Sequence, residues 1–117
     1  MTVLTGGACL MDCLLQLGAT RGFGVPGESY LAVLDAMHDR QAFTFVNCRN
    51  EGGSAFMAEA HGKLTGEPGL CFVTRGPGAT NASIGVHTAR QNSSPMILFV
   101  GQVSRDMIGR EAFQEID

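Results

Sequence analysis

The chain has 117 residues, few charged side chains and an unusual amount of glycine. Eight Lys and Arg against eleven Asp and Glu give a net charge of −3 without a basic stripe, so the composition excludes nucleic acid as an expected partner. Glycine supplies 16 residues, roughly twice its usual share, while charged residues make up only 16%. We therefore expect one globular unit whose surface is partly covered and whose backbone approaches something closely.

Neither a leader segment nor a membrane span is predicted. Residues 1–7 carry no basic patch ahead of an apolar run, and no apolar stretch approaches the roughly 20 residues that a bilayer requires. The four cysteines and three histidines lack the paired spacing of a zinc site. We therefore expect reduced, buried cysteines, no metal site in this chain, no membrane partner and a cytoplasmic location.

Helices and strands are predicted to alternate along the chain. Helix-like apolar spacing covers residues 5–17, 29–39, 51–65 and 79–91, and short apolar runs at 21–25, 43–47, 70–74 and 96–100 predict strands. Strands of this kind are typical of parallel sheets covered on both faces. The predicted fold class is α/β, a doubly wound and mostly parallel sheet with helices on both faces. Because open sheets of this type often have about six strands, we expect residues 1–117 to be an incomplete domain.

Ligands of such folds bind outside the carboxyl ends of the strands, where this sequence mixes glycine with polar residues. Glu51 follows a predicted strand and opens a helix. The simplest interpretation is a carboxylate stabilised by the helix dipole. However, Gly52 and Gly53 follow at once, and each glycine costs about 1 kcal/mol inside a helix. Their presence predicts that another group packs directly on this backbone.

Two further segments at the carboxyl ends of the strands, an edge that we call the rim, carry polar groups with more than one interpretation. The turn RGPGATN at 75–81 has the glycines of an anion cradle but lacks the lysine and the spacing of a phosphate-binding loop. Glu28 fits an ordinary acidic residue at a helix start. Arg49 and Arg75 could reach anions at the rim, although surface arginines are common.

Taken together, five runs resemble the N-terminal pyrimidine-binding domain of thiamine-diphosphate enzymes, in particular the acetolactate synthase (acetohydroxyacid synthase) group. They are FGVPGES, RNEGGSAFMAEAHGKLTG, VTRGPGATNASIGVHTA, PMILFVGQV and GREAFQEID, in that order from about residue 5 onward. The resemblance implies the thiamine-diphosphate-binding fold and a homodimer or homotetramer with each active site between two subunits. It also implies that the central domain and the diphosphate-binding C-terminal domain lie outside this chain.

The resemblance assigns roles residue by residue. Glu51 matches the glutamate that hydrogen-bonds ring nitrogen N1′ of the cofactor, and thereby favours the tautomer in which the 4′-amino group acts as a base. Gln114 matches a glutamine that reaches the reacting centre. Phe113 lies beside it, near the substrate. The cofactor-contacting positions are Pro26, Gly27, Gly76, Pro77 and Asn81, so the 75–81 turn is expected to face the pyrimidine ring rather than the diphosphate.

The resemblance implies thiamine diphosphate as the cofactor, with Mg²⁺ held by a Gly-Asp-Gly motif that this chain lacks, and it leaves FAD undecided. The expected reaction is decarboxylation of a 2-oxo acid such as pyruvate, followed by ligation to a second carbonyl. Glu28 departs from the synthases, which usually have glycine there. Two alternatives therefore stay open, namely a non-ligating decarboxylase with Glu28 as the catalytic acid, and a non-enzymatic α/β binding module. We expect these 117 residues alone to be inactive.

Overall fold

The sheet contains four parallel strands. A computed structural model describes residues 3–117, so the first two residues of the predicted domain lie outside the described part. The strands are β1 (Arg21–Gly24), β2 (Thr44–Asn47), β3 (Gly69–Thr74) and β4 (Met96–Gly101), in the spatial order β2-β1-β3-β4. Every neighbouring pair is parallel. The predicted α/β class with a parallel sheet is confirmed.

Helices cover both faces of this sheet. They are α1 (Gly6–Gln16), α2 (Leu31–His38), α3 (Glu51–Thr65) and α4 (Arg75–Asn92). Helices α1 and α2 pack on one face, and α3 and α4 pack on the other. Helix α3 keeps its predicted bounds because both ends have strong signals: the Asn50 side chain caps the start, and Gly66 ends the helix in a left-handed conformation. No helix within residues 3–117 combines the length and the apolar character that crossing a membrane requires.

Strand β3 divides the core into two layers. Its side chains alternate, so Leu70 and Phe72 join the cluster under α1 and α2, while Cys71 and Val73 join the cluster under α3 and α4. Residues 69–73 are all buried. Burial on both faces explains the unbroken apolar run from which the parallel sheet was predicted.

Helix α4 starts earlier than the sequence predicts. A separate turn was expected at 75–78, with the helix beginning at 79, but α4 begins at Arg75, directly after β3. Pro77 is tolerated because the N–H groups of a first helical turn have no intrahelical partner. Arg75 makes the sharp change of direction by adopting a left-handed φ of 48°. The helix predicted at 29–39 is also shorter in the structure, because Glu28–Tyr30 form a 3-10 turn ahead of α2.

The expectation that all four cysteines are buried is wrong. Only Cys71 is buried, Cys48 is half-buried, and Cys9 and Cys13 are exposed. Helix α1 turns Gly7, Met11 and Leu14 towards the core. The two exposed cysteines lie on the opposite face of the same helix.

Helices α3 and α4 approach each other through glycine. A Cβ on Gly85 would overlap Cβ of Ala55 and lie 2.7 Å from the Ala55 carbonyl carbon. Cβ of Ala55 is fully buried, so it has no free space to move into. The close crossing of these helices therefore depends on the missing side chain at position 85.

We predict that Gly85→Ala lowers the free energy of unfolding by about 1–3 kcal/mol, because an added methyl overpacks this contact. The matched control is Gly53→Ala, on α3, where a Cβ would meet nothing within 4 Å. That change should be neutral or stabilising, since alanine favours helix by up to about 1 kcal/mol. Thermal unfolding of the two variants checks the difference. Equal melting temperatures would contradict the packing argument.

Glu59 is a buried carboxylate that ties α3 to the end of α4. It is 7% exposed, and its Oε1 accepts hydrogen bonds from Asn92 Nδ2 (3.0 Å) and Ser94 Oγ (2.7 Å). These two hydrogen bonds, Asn92 first, hold the pKa of Glu59 below its usual range, and the charge of Lys63 adds to the effect. The ionised form is therefore the one that the fold stabilises.

A lowered pKa in the folded state gives stability that is present above the ordinary glutamate value of about 4.3 and is lost as the pH falls through the folded value. We predict that Glu59→Gln lowers the melting temperature at neutral pH, and that the difference from the parent shrinks as the medium is acidified. Glu67→Gln, at an exposed turn position, is the control. A difference that stays constant down to about pH 3 would contradict the linkage.

Candidate functional site

The carboxyl ends of all four strands meet at one edge of the sheet. The chain runs from β1 outward to β2, then returns to place β3 on the other side of β1 and β4 beyond it. The order of strands therefore reverses between β1 and β3. In open α/β sheets this reversal opens the crevice in which ligands bind. The loop after β1 and the start of α4 form its two sides.

On the α3 side, the structure brings together two of the predicted site residues, Glu51 and Asn81. Glu51 is the first residue of α3, and its Oε2 accepts a hydrogen bond of 2.9 Å from Asn81 Nδ2 on α4. Asn50 caps the helix by accepting hydrogen bonds from the backbone N–H groups of Gly52 and Gly53. The carboxylate of Glu51 is thus held at a helix N-terminus, where the dipole favours its negative charge.

The two glycines after Glu51 differ in surroundings. A Cβ on Gly52 would lie 3.2 Å from the backbone oxygen of Asn81 and 3.5 Å from Cγ2 of Ile84. At Gly53 a Cβ would meet nothing within 4 Å. The predicted close packing on this backbone is therefore found at Gly52, where α4 makes the approach, and not at Gly53.

The loop after β1 is fixed against the end of β3. A Cβ on Gly27 would lie 2.7 Å from Thr74 Oγ1, so only glycine fits here. Ser29 Oγ and Thr74 Oγ1 share a hydrogen bond, and the Tyr30 hydroxyl donates to the Val25 carbonyl. These contacts hold the loop on the side that faces the sheet, and Pro26 is exposed at the rim.

Two protonated groups lie beneath this rim. Burial raises the pKa of Tyr30 to about 12, and the charges of Cys71 and Glu51 add to the effect. Burial likewise raises the pKa of the Cys71 thiol to about 12, with smaller contributions from Cys48 and Glu51. Both groups therefore remain neutral at physiological pH.

Across the crevice, Glu28 and Arg75 form an ion pair. Arg75 Nη1 donates to Glu28 Oε1 at 2.7 Å. The Arg75 side chain is 15% exposed, and that of Glu28 is 67% exposed. The Arg75 guanidinium carbon also lies 5.9 Å from the centre of the Phe113 ring, within the range of a cation–π contact.

The segment that contains Phe113 and Gln114 docks on the start of α4. The N–H of Gly76 donates to the carbonyl of Gln114 at 2.9 Å, and Gln102 Nε2 donates to the carbonyl of Ile116 at 2.6 Å. The Glu115 carboxylate accepts from the N–H groups of Gly109 and Ala112. These hydrogen bonds, Gly109 first, hold the pKa of Glu115 below its usual range.

The structure therefore gathers the predicted site residues into two groups at one edge. One is Glu51 with Asn81, and the other is Glu28 with Arg75, Phe113 and Gln114. The Gly76 N–H that an anion would use at the start of α4 is occupied by a backbone carbonyl, which argues against a phosphate cradle there. Pro77 is exposed beside it.

Two features of the site were missed by the sequence argument. The Glu115 and Gln102 hydrogen bonds, which fix the 109–116 segment, join residues with no recognisable motif. Arg75 was considered for anion binding, but the pairing with Glu28 depends on strand order, and no sequence signal for it was available. Within residues 3–117 no cluster of three or more His, Cys, Asp or Glu side chains could hold a metal ion.

Comparison with known proteins gives a consistent assignment. Residues 4–117 match the family described as "Thiamine pyrophosphate enzyme, N-terminal TPP binding domain". The chain is 42% identical over 117 residues to an acetolactate synthase large subunit of Parasynechococcus marenigrum, covering 97% of this chain and 19% of that protein.

Two further relatives have similar names. Acetolactate synthase isozyme 3 large subunit of Escherichia coli is 39% identical over 117 residues, covering 100% of this chain and 20% of that protein. The mitochondrial acetolactate synthase catalytic subunit of Saccharomyces cerevisiae is 40% identical over 114 residues, covering 97% of this chain and 17% of that protein. The chain thus spans about one fifth of the length of these curated relatives.

Proposed function

We propose that this chain, which belongs to the family of thiamine pyrophosphate enzyme N-terminal domains, supplies the side of a thiamine diphosphate site that holds the pyrimidine ring. The supporting observation is the arrangement of Glu51. Asn81 occupies one carboxylate oxygen, and Oε1 accepts no hydrogen bond within residues 3–117. The second oxygen therefore remains available to a ring nitrogen.

The rim residues fit a flat ring. The extended Gly27 backbone lies against Thr74, with Pro26 exposed beside it, which offers a side-chain-free surface along one edge of the crevice. Gly76 and Pro77 border the crevice from the first turn of α4. We propose that these backbones line the pyrimidine ring while Glu51 holds or shares a proton at its N1′ atom.

The chemistry that we propose for the whole protein is acetolactate synthase-like. When bound, the cofactor supplies the reactive carbon and the electron sink for a 2-oxo acid such as pyruvate. The role of Glu51 is to exchange a proton with the ring, and Gln114 and Phe113 face the substrate. Magnesium and the diphosphate would be held outside this chain.

A second candidate is decarboxylation without ligation. The carboxylate of Glu28 favours it, because this side chain is 67% exposed on the loop after β1, at the crevice where ligands of open α/β sheets bind. The identity of the product separates the two candidates. Acetolactate supports ligation, whereas acetaldehyde alone, lost on Glu28→Gln, supports the decarboxylase. A third outcome, tight nucleotide binding that Glu51→Gln leaves unchanged, would support a non-enzymatic module.

We predict that Glu51→Gln in the complete gene product lowers turnover of pyruvate by about 10²–10⁴-fold, the usual contribution of a proton-transferring group. Thiamine diphosphate, Mg²⁺ and pyruvate are supplied, and acetolactate and acetaldehyde are assayed separately. Glu67→Gln is the control, since it removes the same charge at an exposed turn. Unchanged turnover in the Glu51 variant would overturn the proposed role.

We also propose that the complete protein self-associates over the outer surface of α3 and α4. Phe56 and Ile84 are 41% and 57% exposed where the two helices cross, and Ile84 lies next to the Gly52 backbone beside Glu51. An apolar surface that continues into the site suits a second subunit covering the cofactor.

Ile84→Asp is therefore predicted to shift the complete gene product towards the monomer in sedimentation velocity, because it places a charge in a desolvated contact. Leu64→Asp is the matched control. That residue is 85% exposed at the far end of α3, and its change should leave the mass unaltered. An unaltered mass for the Ile84 variant would contradict the proposed interface.

A further inference from the structure

Both the backbone conformation of Arg75 and its place in α4 are unfavourable for an arginine. Its φ is 48°, in the left-handed region that side-chain-bearing residues rarely adopt. It is also a cation in the first turn of α4, where the helix dipole favours negative charge. Strain of this kind persists where the surrounding structure requires it, and it concentrates at functional sites.

The contacts of Arg75 reach both sides of the crevice. Nη1 donates to Glu28 Oε1 on the loop after β1, and the guanidinium lies over the Phe113 ring. The buried Nε has no hydrogen-bond partner within residues 3–117. One side chain thus joins three segments that are distant in sequence, at the point where the strand order reverses.

Backbone strain recurs in the segment that Arg75 contacts. Among the described residues, four non-glycine residues have positive φ, and three of them belong to this rim: Arg75, Glu111 and Gln114. Gln114 accepts the hydrogen bond from Gly76, the residue after Arg75. The 109–116 segment is therefore held in a disfavoured conformation by its contacts with the start of α4.

We propose that Arg75 is a positioning residue that holds Phe113 and Gln114 over the crevice and keeps Glu28 turned towards them. The proposal rests on the proposed function, because it specifies how the substrate side of that site is assembled. An exposed ion pair contributes little to stability by itself, and Glu28 is 67% exposed. The arrangement is thus better suited to fixing geometry than to stabilising the fold.

Loss of the guanidinium is expected to affect the reaction rather than cofactor binding. The Glu51–Asn81 contact lies on the α3 side and makes no hydrogen bond with Arg75. Removing the planar cation releases Glu28 and Phe113 together. Lysine keeps the positive charge. It lacks the planar guanidinium, which can pair with the Glu28 carboxylate and lie on the Phe113 ring at the same time, so Arg75→Lys should retain only part of the positioning effect.

The test uses Arg75→Gln, Arg75→Lys and Glu28→Gln in the complete gene product, with Arg90→Gln as control. Arg90 lies on the same helix but in its last turn, far from the rim. Hydrogen exchange of the amides in 109–116 reports docking of the segment without any need for activity. We expect about tenfold faster exchange in Arg75→Gln, an intermediate rate in Arg75→Lys and no change in Arg90→Gln.

Kinetics add a readout that a purely structural role would not produce. With pyruvate as substrate, kcat should fall about tenfold in Arg75→Gln while the Kd for thiamine diphosphate stays within about twofold. The double variant with Glu28→Gln should be no worse than Arg75→Gln alone, because the two residues act as a unit. Additive losses would overturn the proposal.

Three results separate this proposal from the proposed function. Unchanged exchange in Arg75→Gln overturns the positioning role, whatever the reaction is. Parallel loss of cofactor affinity also overturns it, since Arg75 would then belong to the pyrimidine pocket. If the parent does not bind thiamine diphosphate, the proposed function fails, but faster exchange in Arg75→Gln alone would still support the positioning role.

Discussion

The direct junction between β3 and α4 is the constraint on which the rest of the rim depends. Because β3 is buried on both faces, its direction is fixed by the two core layers around it. With no loop after Thr74, the first turn of α4 can point in only one direction, and the left-handed Arg75 sets that direction. The loop after β1 docks on Thr74 at this junction through Gly27, and the 109–116 segment docks on the first turn of α4 through Gly76.

Glycine links the unusual composition to this geometry. At Gly27, Gly62 and Gly85 a side chain would collide with backbone or with buried atoms of a neighbouring element. These contacts allow the loop after β1 to touch β3, and α3 to lie close against α4. Part of the surplus of glycine is therefore a consequence of close backbone packing between neighbouring segments.

The parts of the structure that could be predicted from sequence are those with local signals. Helix α3 has a capping Asn50 and a terminating Gly66, and its bounds were predicted correctly. The start of α4 was missed because a left-handed Arg75 has no sequence signal, and proline and glycine in 75–78 imitate a turn. Glu51 could be singled out by its place after a strand, whereas its Asn81 partner, 30 residues away, depends on how α3 and α4 cross.

The charges at the rim suggest why the two groups of residues can have separate tasks. Glu51 stands at the N-terminus of α3 and accepts a hydrogen bond from the Asn81 amide. Glu28 instead faces a guanidinium at 2.7 Å. The carboxylates of Glu28, after β1, and Glu51, after β2, thus have different partners, a guanidinium and an amide. The proposed function gives these two carboxylates different tasks, proton exchange for Glu51 and a fixed position for Glu28, and their different partners match that division.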